Sequence, residues 1–186
     1  MRWGGSRLGA GSVDRGRILS GTDSFYTDSV TLGGDRSWTI SLWVKPTSTP
    51  SKQILLAGFQ DGPDSTNWGL SLVPGASGIH ARVWSGADTS KPLDDTVGLA
   101  LSTWTHLVAT FDYASSSSHR IGLVVDTVVY GRRSVVLPLA SSQKLQGGAG
   151  LVGSLDEIWL SDTARKGQWS QLEHQTQTGG IPWLRW

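Results

Sequence analysis

Hydrophobic and polar residues alternate in short bursts along most of this chain, and a turn-forming cluster closes each burst. In SWTISLWVKP, Trp38, Ile40, Leu42 and Val44 occupy one phase and Thr39, Ser41, Trp43 and Lys45 the other, until Pro46 ends the run. SKQILLAGF follows and stops at DGPDSTN; NWGLSLV and GIHARVWSG come next, joined by PGASG, a hairpin signal. Beyond the polar stretch ADTSKPLDDTVGLALS lie WTHLVATFDY, a serine-rich turn, HRIGLVVDTVVYG and finally GLVGSLDEIWL. Many short runs of period two with closely spaced turns predict an all-β, antiparallel sandwich or jelly roll. ARKGQWSQLEHQ is the sole helix candidate, so at most one short C-terminal helix is expected.

The two ends break this pattern. Residues 1–17 scatter Arg2, Arg7, Arg15 and Arg17 among Gly and Ser without any period, which reads as a flexible arm. Residues 179–186, GGIPWLRW, form an apolar tail behind a glycine pair. The organisation expected is therefore an arm (1–17), one β domain (18–178) and a tail (179–186). A chain of 186 residues can bury enough surface to fold without a staple, and it has no cysteine. That excludes disulfide scaffolds, thiolate zinc sites and cysteine nucleophiles. Sixteen basic against fifteen acidic residues argue against a domain-wide nucleic-acid footprint. The first residues lack the apolar region of a secretory signal, and no run of about 18 apolar residues occurs, so no membrane insertion is expected.

Candidate chemistry starts with GSLDEIWLSDTAR, where Asp156 and Glu157 interrupt an otherwise apolar strand. They could be a catalytic pair, a metal site or a structural feature. On a regular strand adjacent side chains point to opposite faces, so the two cannot serve one bond together. Trp159 is turned away from Ile158 and Leu160 by the same alternation and is a candidate to stack on a sugar or anchor a partner. His80, Arg82 and Trp84 share one phase of GIHARVWSG and form a second candidate contact face, with Trp68 a loop-border candidate. No phosphate-binding Gly-rich loop, HExxH or EF-hand spacing is present. The four histidines and many serines could be combined into a triad on paper, but no GxSxG elbow supports one.

Four stretches in order, WTISLWVKP, STWTHLVATFD, a strand ending in VVD and GSLDEIWLSDTAR, resemble the laminin G-like or concanavalin A-like jelly-roll modules from about Arg17 to Gln175. The resemblance implies two antiparallel sheets in a jelly roll that binds glycans or proteins, as in adhesins, extracellular enzymes and phage virion proteins. It places Trp43 and Trp104 as packing residues. It also implies a calcium site where the N-terminal loop meets the closing strand, with Asp23 facing Asp156, although Ser24 stands where relatives carry a further acid. The alternative is that Asp156 accepts backbone hydrogen bonds from the neighbouring loop. Enzymes of the family use carboxylates two residues apart on one strand; Ile158 and Trp159 leave no such pair, so no catalysis is expected. Asp126-Thr127 replaces the family's Asp-Gly, which predicts a wider or differently shaped turn.

The leading functional expectation is a structural surface component, such as a phage virion decoration or tail protein. It would pack against copies of itself as a homo-oligomer, or on a shell protein, through Arg2, Trp3, Arg7, Trp183, Leu184 and Trp186. The alternative is a glycan-binding adhesion module, with or without calcium; a glycoside hydrolase or lyase is remote. The place expected is a virion or cell surface, outside the cell, without a visible signal peptide.

Overall fold

The computed structural model of the chain describes residues 16–26, 30–31, 36–49, 53–59, 66–76, 78–85, 93–113, 120–134 and 142–178. In chain order the strands are β1 (Arg17–Ser20), β2 (Phe25–Tyr26), β3 (Val30–Thr31), β4 (Trp38–Pro46), β5 (Gln53–Phe59), β6 (Thr66–Gly75) and β7 (Gly78–Ser85). Then come β8 (Leu93–Asp94), β9 (Thr105–Asp112), β10 (Arg120–Val125), β11 (Val128–Ser134), β12 (Ser142–Gly147) and β13 (Val152–Ser161), followed by the helix α1 (Gly167–Gln177). A six-stranded sheet runs β1-β13-β4-β9-β10-β11, and a seven-stranded sheet runs β2-β12-β5-β6-β7-β8 with β3 also on β12. The named pairings are antiparallel, and the chain changes sheet repeatedly, as a jelly roll must.

The inward phase of β4 (Trp38, Ile40, Leu42 and Val44) lies in one buried cluster with Leu70 and Leu72 of β6, Ala81 and Val83 of β7, and Leu107, Ala109 and Phe111 of β9. This shared burial of apolar surface between the sheets is what holds the sandwich together. Its aromatic centre is Trp38, whose ring lies 4.8 Å from Trp68 and 5.8 Å from Phe111.

The other phase of β4 is buried too: Thr39, Ser41 and Trp43 are 1%, 1% and 3% exposed. The cause is α1, which lies across the outer face of the six-stranded sheet and bonds Ser41 through Glu173 and Trp43 through Gln177. Just ahead of the helix, the Arg165 N–H donates to Thr39 Oγ1 at 2.9 Å.

The acid pair sits on a β-bulge. Along β13 and β4, Asp156 is opposite Trp43 and Trp159 is opposite Ser41, so Glu157 and Ile158 share the single partner Leu42. Glu157 adopts a φ of 48°, the left-handed region that L-residues rarely enter. The bulge answers an odd spacing in the sequence. Leu155 and Ile158 are three apart and would lie on opposite faces of a regular strand; with one extra residue inserted, Leu155, Ile158 and Leu160 all reach the core. Asp156 and Glu157 therefore do not follow strict alternation, which corrects the expectation that they face opposite ways. Gly153, just upstream, has a φ of 153° and packs so closely on the Lys45 carbonyl that a side chain there would collide.

Both expected hairpins are present. Gly75 pairs with Gly78 and Val125 with Val128, which leaves Asp126 and Thr127 as a two-residue loop. That turn is not wider than usual; it differs in shape, because Asp126 takes a positive φ of 53° and Thr127 does not.

Candidate functional site

A serine, a histidine and a carboxylate do meet in this fold, under α1. Ser41 Oγ donates to Glu173 Oε2 at 2.9 Å, and Ser41 Oγ and His106 Nε2 are also 2.9 Å apart. Ser41 has one hydroxyl proton and gives it to Glu173, so His106 Nε2–H must be the donor to Ser41. The order is the reverse of a nucleophilic triad, in which the imidazole would receive the serine proton and its second nitrogen would hold the carboxylate. Here the carboxylate and the hydroxyl crowd one nitrogen, His106 Nε2 lying 3.5 Å from Glu173, while Nδ1 has no partner among the described residues. Ser41 is 1% and His106 0% exposed, so no substrate reaches them. The cluster is a clasp between helix and sheet.

The clasp extends through Trp43, whose indole N–H donates to Gln177 Oε1 at 2.6 Å and whose ring lies 5.3 Å from His174. His174 Nε2 is 3.6 Å from Asp126 Oδ1, the same oxygen that accepts the His106 backbone N–H. Burial disfavours the charged imidazolium of His174; Asp126 opposes this, nearby His106 adds to it, and the net pKa lies below the ordinary histidine value. A depressed pKa means the unfolded chain takes up the proton first. The helix docking therefore weakens as pH falls below about 6.5. Thermal unfolding at pH 7.5 and pH 5 is expected to show this loss in the wild type and a smaller loss in His174→Phe, which keeps the stacking and removes the titration. Equal pH dependence in both proteins would exclude His174 as its source.

The predicted His80, Arg82 and Trp84 face is largely spoken for. Asp95, 4% exposed, accepts from the Ala81 N–H at 2.5 Å, the Gly98 N–H at 2.6 Å and His80 Nδ1 at 2.9 Å. This carboxylate ties the loop after β8 to β7, and sequence reading missed it. The signal was Asp95 three residues ahead of Gly98, a side chain able to bond its own following turn. Arg82 makes a two-pronged pair with Asp94 at 2.7 and 2.6 Å. Trp84, opposite Gly69, is 2% exposed, and Trp68 is 0% exposed in the core. Neither tryptophan can be a surface contact, which corrects both expectations. Trp68 is in phase with Leu70 and Leu72, so alternation already placed it inward.

Asp23 and Asp156 are not brought together. Ser20 lies opposite Val152 and Arg17 opposite Leu155, so Asp23 follows one end of β1 and Asp156 lies beyond the other. Asp23 accepts from the Ser20 hydroxyl at 2.7 Å and the Ser20 N–H at 2.9 Å; these two bonds, with Arg17 nearby, hold its carboxyl below the ordinary aspartate value against a small opposing effect of burial. Asp156 Oδ1 accepts the Glu157 N–H at 2.9 Å, inside its own bulge rather than from a neighbouring loop. Among the described residues, no group of three or more His, Asp or Glu side chains converges as a calcium ion would need. The expected assembly residues Arg2, Trp3, Arg7, Trp183, Leu184 and Trp186 lie outside the described residues.

Trp159 remains. Its ring points outward from β13 and is 58% exposed, while Ile158 and Leu160 pack on the core. The indole N–H donates to Glu157 Oε2 at 3.4 Å, so the bulge residue steers the ring it precedes. An exposed indole beside the Glu157 carboxylate is a flat apolar platform with a hydrogen-bond acceptor at its edge.

The family model described as the concanavalin A-like lectin/glucanases superfamily matches residues 19–169. The chain belongs to that superfamily. No curated protein matches it closely in sequence. Among solved structures, superfamily-like sandwiches align over most of its length. A heptameric SAP-like pentraxin from Limulus polyphemus shares 14% identity at a TM-score of 0.67, covering 83% of this chain and 78% of that one. Domain 4 of AbnA, a GH43 extracellular arabinanase from Geobacillus stearothermophilus solved with arabinotriose, shares 18% identity at 0.68, covering 89% and 79%. The CBM40 of a Ruminococcus gnavus IT-sialidase, bound to α2,3-sialyllactose, shares 11% identity at 0.57, covering 81% and 97%. At such identities the likeness is one of fold, and the fold is that of lectins and carbohydrate-binding modules. Function has to be argued from the site.

Proposed function

We propose that this chain is a non-catalytic, extracellular binding module whose ligand is a neutral glycan stacked on Trp159. The observation that carries this reading is the 58% exposure of an indole held in place by Glu157 on a strained bulge. Strain of this kind persists where surrounding structure enforces it, and it clusters at ligand-binding positions. Sugar C–H groups stack on the ring, while Asp156 and Glu157 can accept sugar hydroxyls and would repel an acidic sugar. The buried order of the Ser41–His106–Glu173 clasp supports a role without catalysis, and the arabinotriose and sialyllactose complexes of similar folds support a sugar as ligand.

On an array of neutral plant and bacterial oligosaccharides, the wild type is expected to bind a defined subset, and Trp159→Ala to weaken that binding roughly tenfold or more. Unfolding temperature should be unchanged, because the ring lies outside the core. Unaltered binding by the variant, or no binding by the wild type, would sink the proposal. A second reading, assembly with itself or a shell protein as on a virion surface, is favoured by one described residue. Ile18 is 82% exposed on the edge strand β1, where a further strand or chain could add. Light scattering on the same samples decides it, since a concentration-independent monomer removes self-assembly.

A further inference from the structure

Cations gather at one corner of the six-stranded sheet, where β10 begins and α1 starts. Arg120 opens β10, and Arg132 of β11 stands opposite Gly122, two residues or about 7 Å further along. Arg165 borders the same small hollow as Gly122, so it lies next to that register position, and Lys166 follows it directly. Arg120, Arg165 and Lys166 are exposed, and none of the three is ion-paired among the described residues. The Arg165 guanidinium instead rests 5.3 Å from the Trp169 ring. The acids described in this corner are Asp112, opposite Arg120, and the exposed Asp162, which takes the Thr163 hydroxyl at 3.4 Å. Four cations thus stand against two carboxylates, in a chain with sixteen basic and fifteen acidic residues.

Folding does not ask for these charges. Lys166 caps α1 without a side-chain bond, and the first turn contains no acid. A helix N-terminus carries partial positive charge and favours acids, so Arg165 and Lys166 stand where they cost stability. β11 is an edge strand, where a cation also blocks pairing with another sheet, but Arg165 and Lys166 lie on no strand and have no such role. Charges held against local stability are a mark of a functional surface.

The matching chemistry is an extended polyanion. Guanidinium groups pair carboxylates and sulfates through two parallel hydrogen bonds, and a lysine adds a point charge. Nucleic acid fits less well: the half-buried Trp169 ring lies against Arg165, which leaves no open platform there for a base. We propose that this corner is a second binding surface, for an acidic polysaccharide whose carboxylate or sulfate groups pair with Arg120, Arg132, Arg165 and Lys166. Trp159 is on β13, three strands from β10, so this surface stands or falls independently of the glycan reading at that ring.

The test measures binding of the whole chain to heparin, polygalacturonate and a short single-stranded DNA at about 0.15 M salt. Heparin, polygalacturonate or both are expected to bind, with affinity falling steeply as salt rises. The double variant Arg165→Gln/Lys166→Gln should weaken that binding about tenfold or more, and Arg132→Gln to a smaller extent. Arg17→Gln removes one charge at the opposite edge of the sheet and should leave affinity unchanged, as should Trp159→Ala. The double variant should also keep or raise the unfolding temperature, because two cations leave a helix N-terminus; a structural role would lower it. Tighter binding of heparin assigns the surface to sulfates, and tighter binding of polygalacturonate assigns it to carboxylates. No binding of either acidic chain, an equal loss in Arg17→Gln or Trp159→Ala, or tighter binding of the DNA than of both polysaccharides overturns the proposal.

Discussion

Trp68→Ala is expected to cost about 3–5 kcal/mol of folding stability, the largest loss from any single truncation considered. The side chain is fully buried, its ring sits 4.8 Å from Trp38, and Trp38 in turn stacks on Phe111. Removing the indole deletes a large apolar surface and leaves a void between two sheets that cannot close without moving both. Against a typical domain stability of about 5–15 kcal/mol, that leaves the protein near the edge of unfolding. Trp68→Phe should be much milder. Its indole N–H has no hydrogen-bond partner among the described residues, so phenylalanine discards an unsatisfied donor together with part of the ring. Urea unfolding followed by circular dichroism measures both. A loss under about 1 kcal/mol for the alanine variant would show that Trp68 is not a core residue.

Glu173→Ala is expected to release α1 from the sheet. The carboxylate accepts the Ser41 hydroxyl at 2.9 Å and lies 3.5 Å from His106 Nε2, and both partners are buried. With the helix still docked, the Ser41 hydroxyl would lose its acceptor in a place water does not reach, and that cost of about 1–3 kcal/mol works against docking. Glu173→Gln keeps an acceptor oxygen at the same position and should retain a good part of that stability. Hydrogen exchange separates this from a general loosening: amides of residues 167–177 should exchange faster while those of β4 and β9 stay protected. Unchanged protection of the helix in Glu173→Ala would mean that the clasp does not hold it. Because Trp43 lies beneath the helix, its fluorescence should shift to longer wavelength as α1 departs.

These two residues show the two kinds of information in the chain. Trp68 was misjudged from its place at the border of a turn, although its phase with Leu70 and Leu72 already put it inside. That error was avoidable, because alternation is a local property of a strand. Glu173 could not have been found that way. Ser41 and Trp43 are outward by phase, and nothing near them in sequence says that a helix more than 120 residues later will cover them. The same holds for Asp95, whose turn with Gly98 was legible while its bonds to Ala81 and His80 were not.

By itself the sequence determined the sandwich, most of its strands, the hairpins, the inward phase of β4, the late helix and the outward direction of Trp159. The strand features follow from a period of two, or from turn residues, read within a few positions of themselves. Only the tertiary structure decided that Asp156 and Glu157 sit on a bulge, that Asp23 and Asp156 are separated by the length of β1, that Trp84 is covered and that a serine, a histidine and a glutamate form a clasp. Those facts depend on which strands become neighbours and in what register. Register is set by burying the whole apolar face at once, and no single segment of the chain contains it.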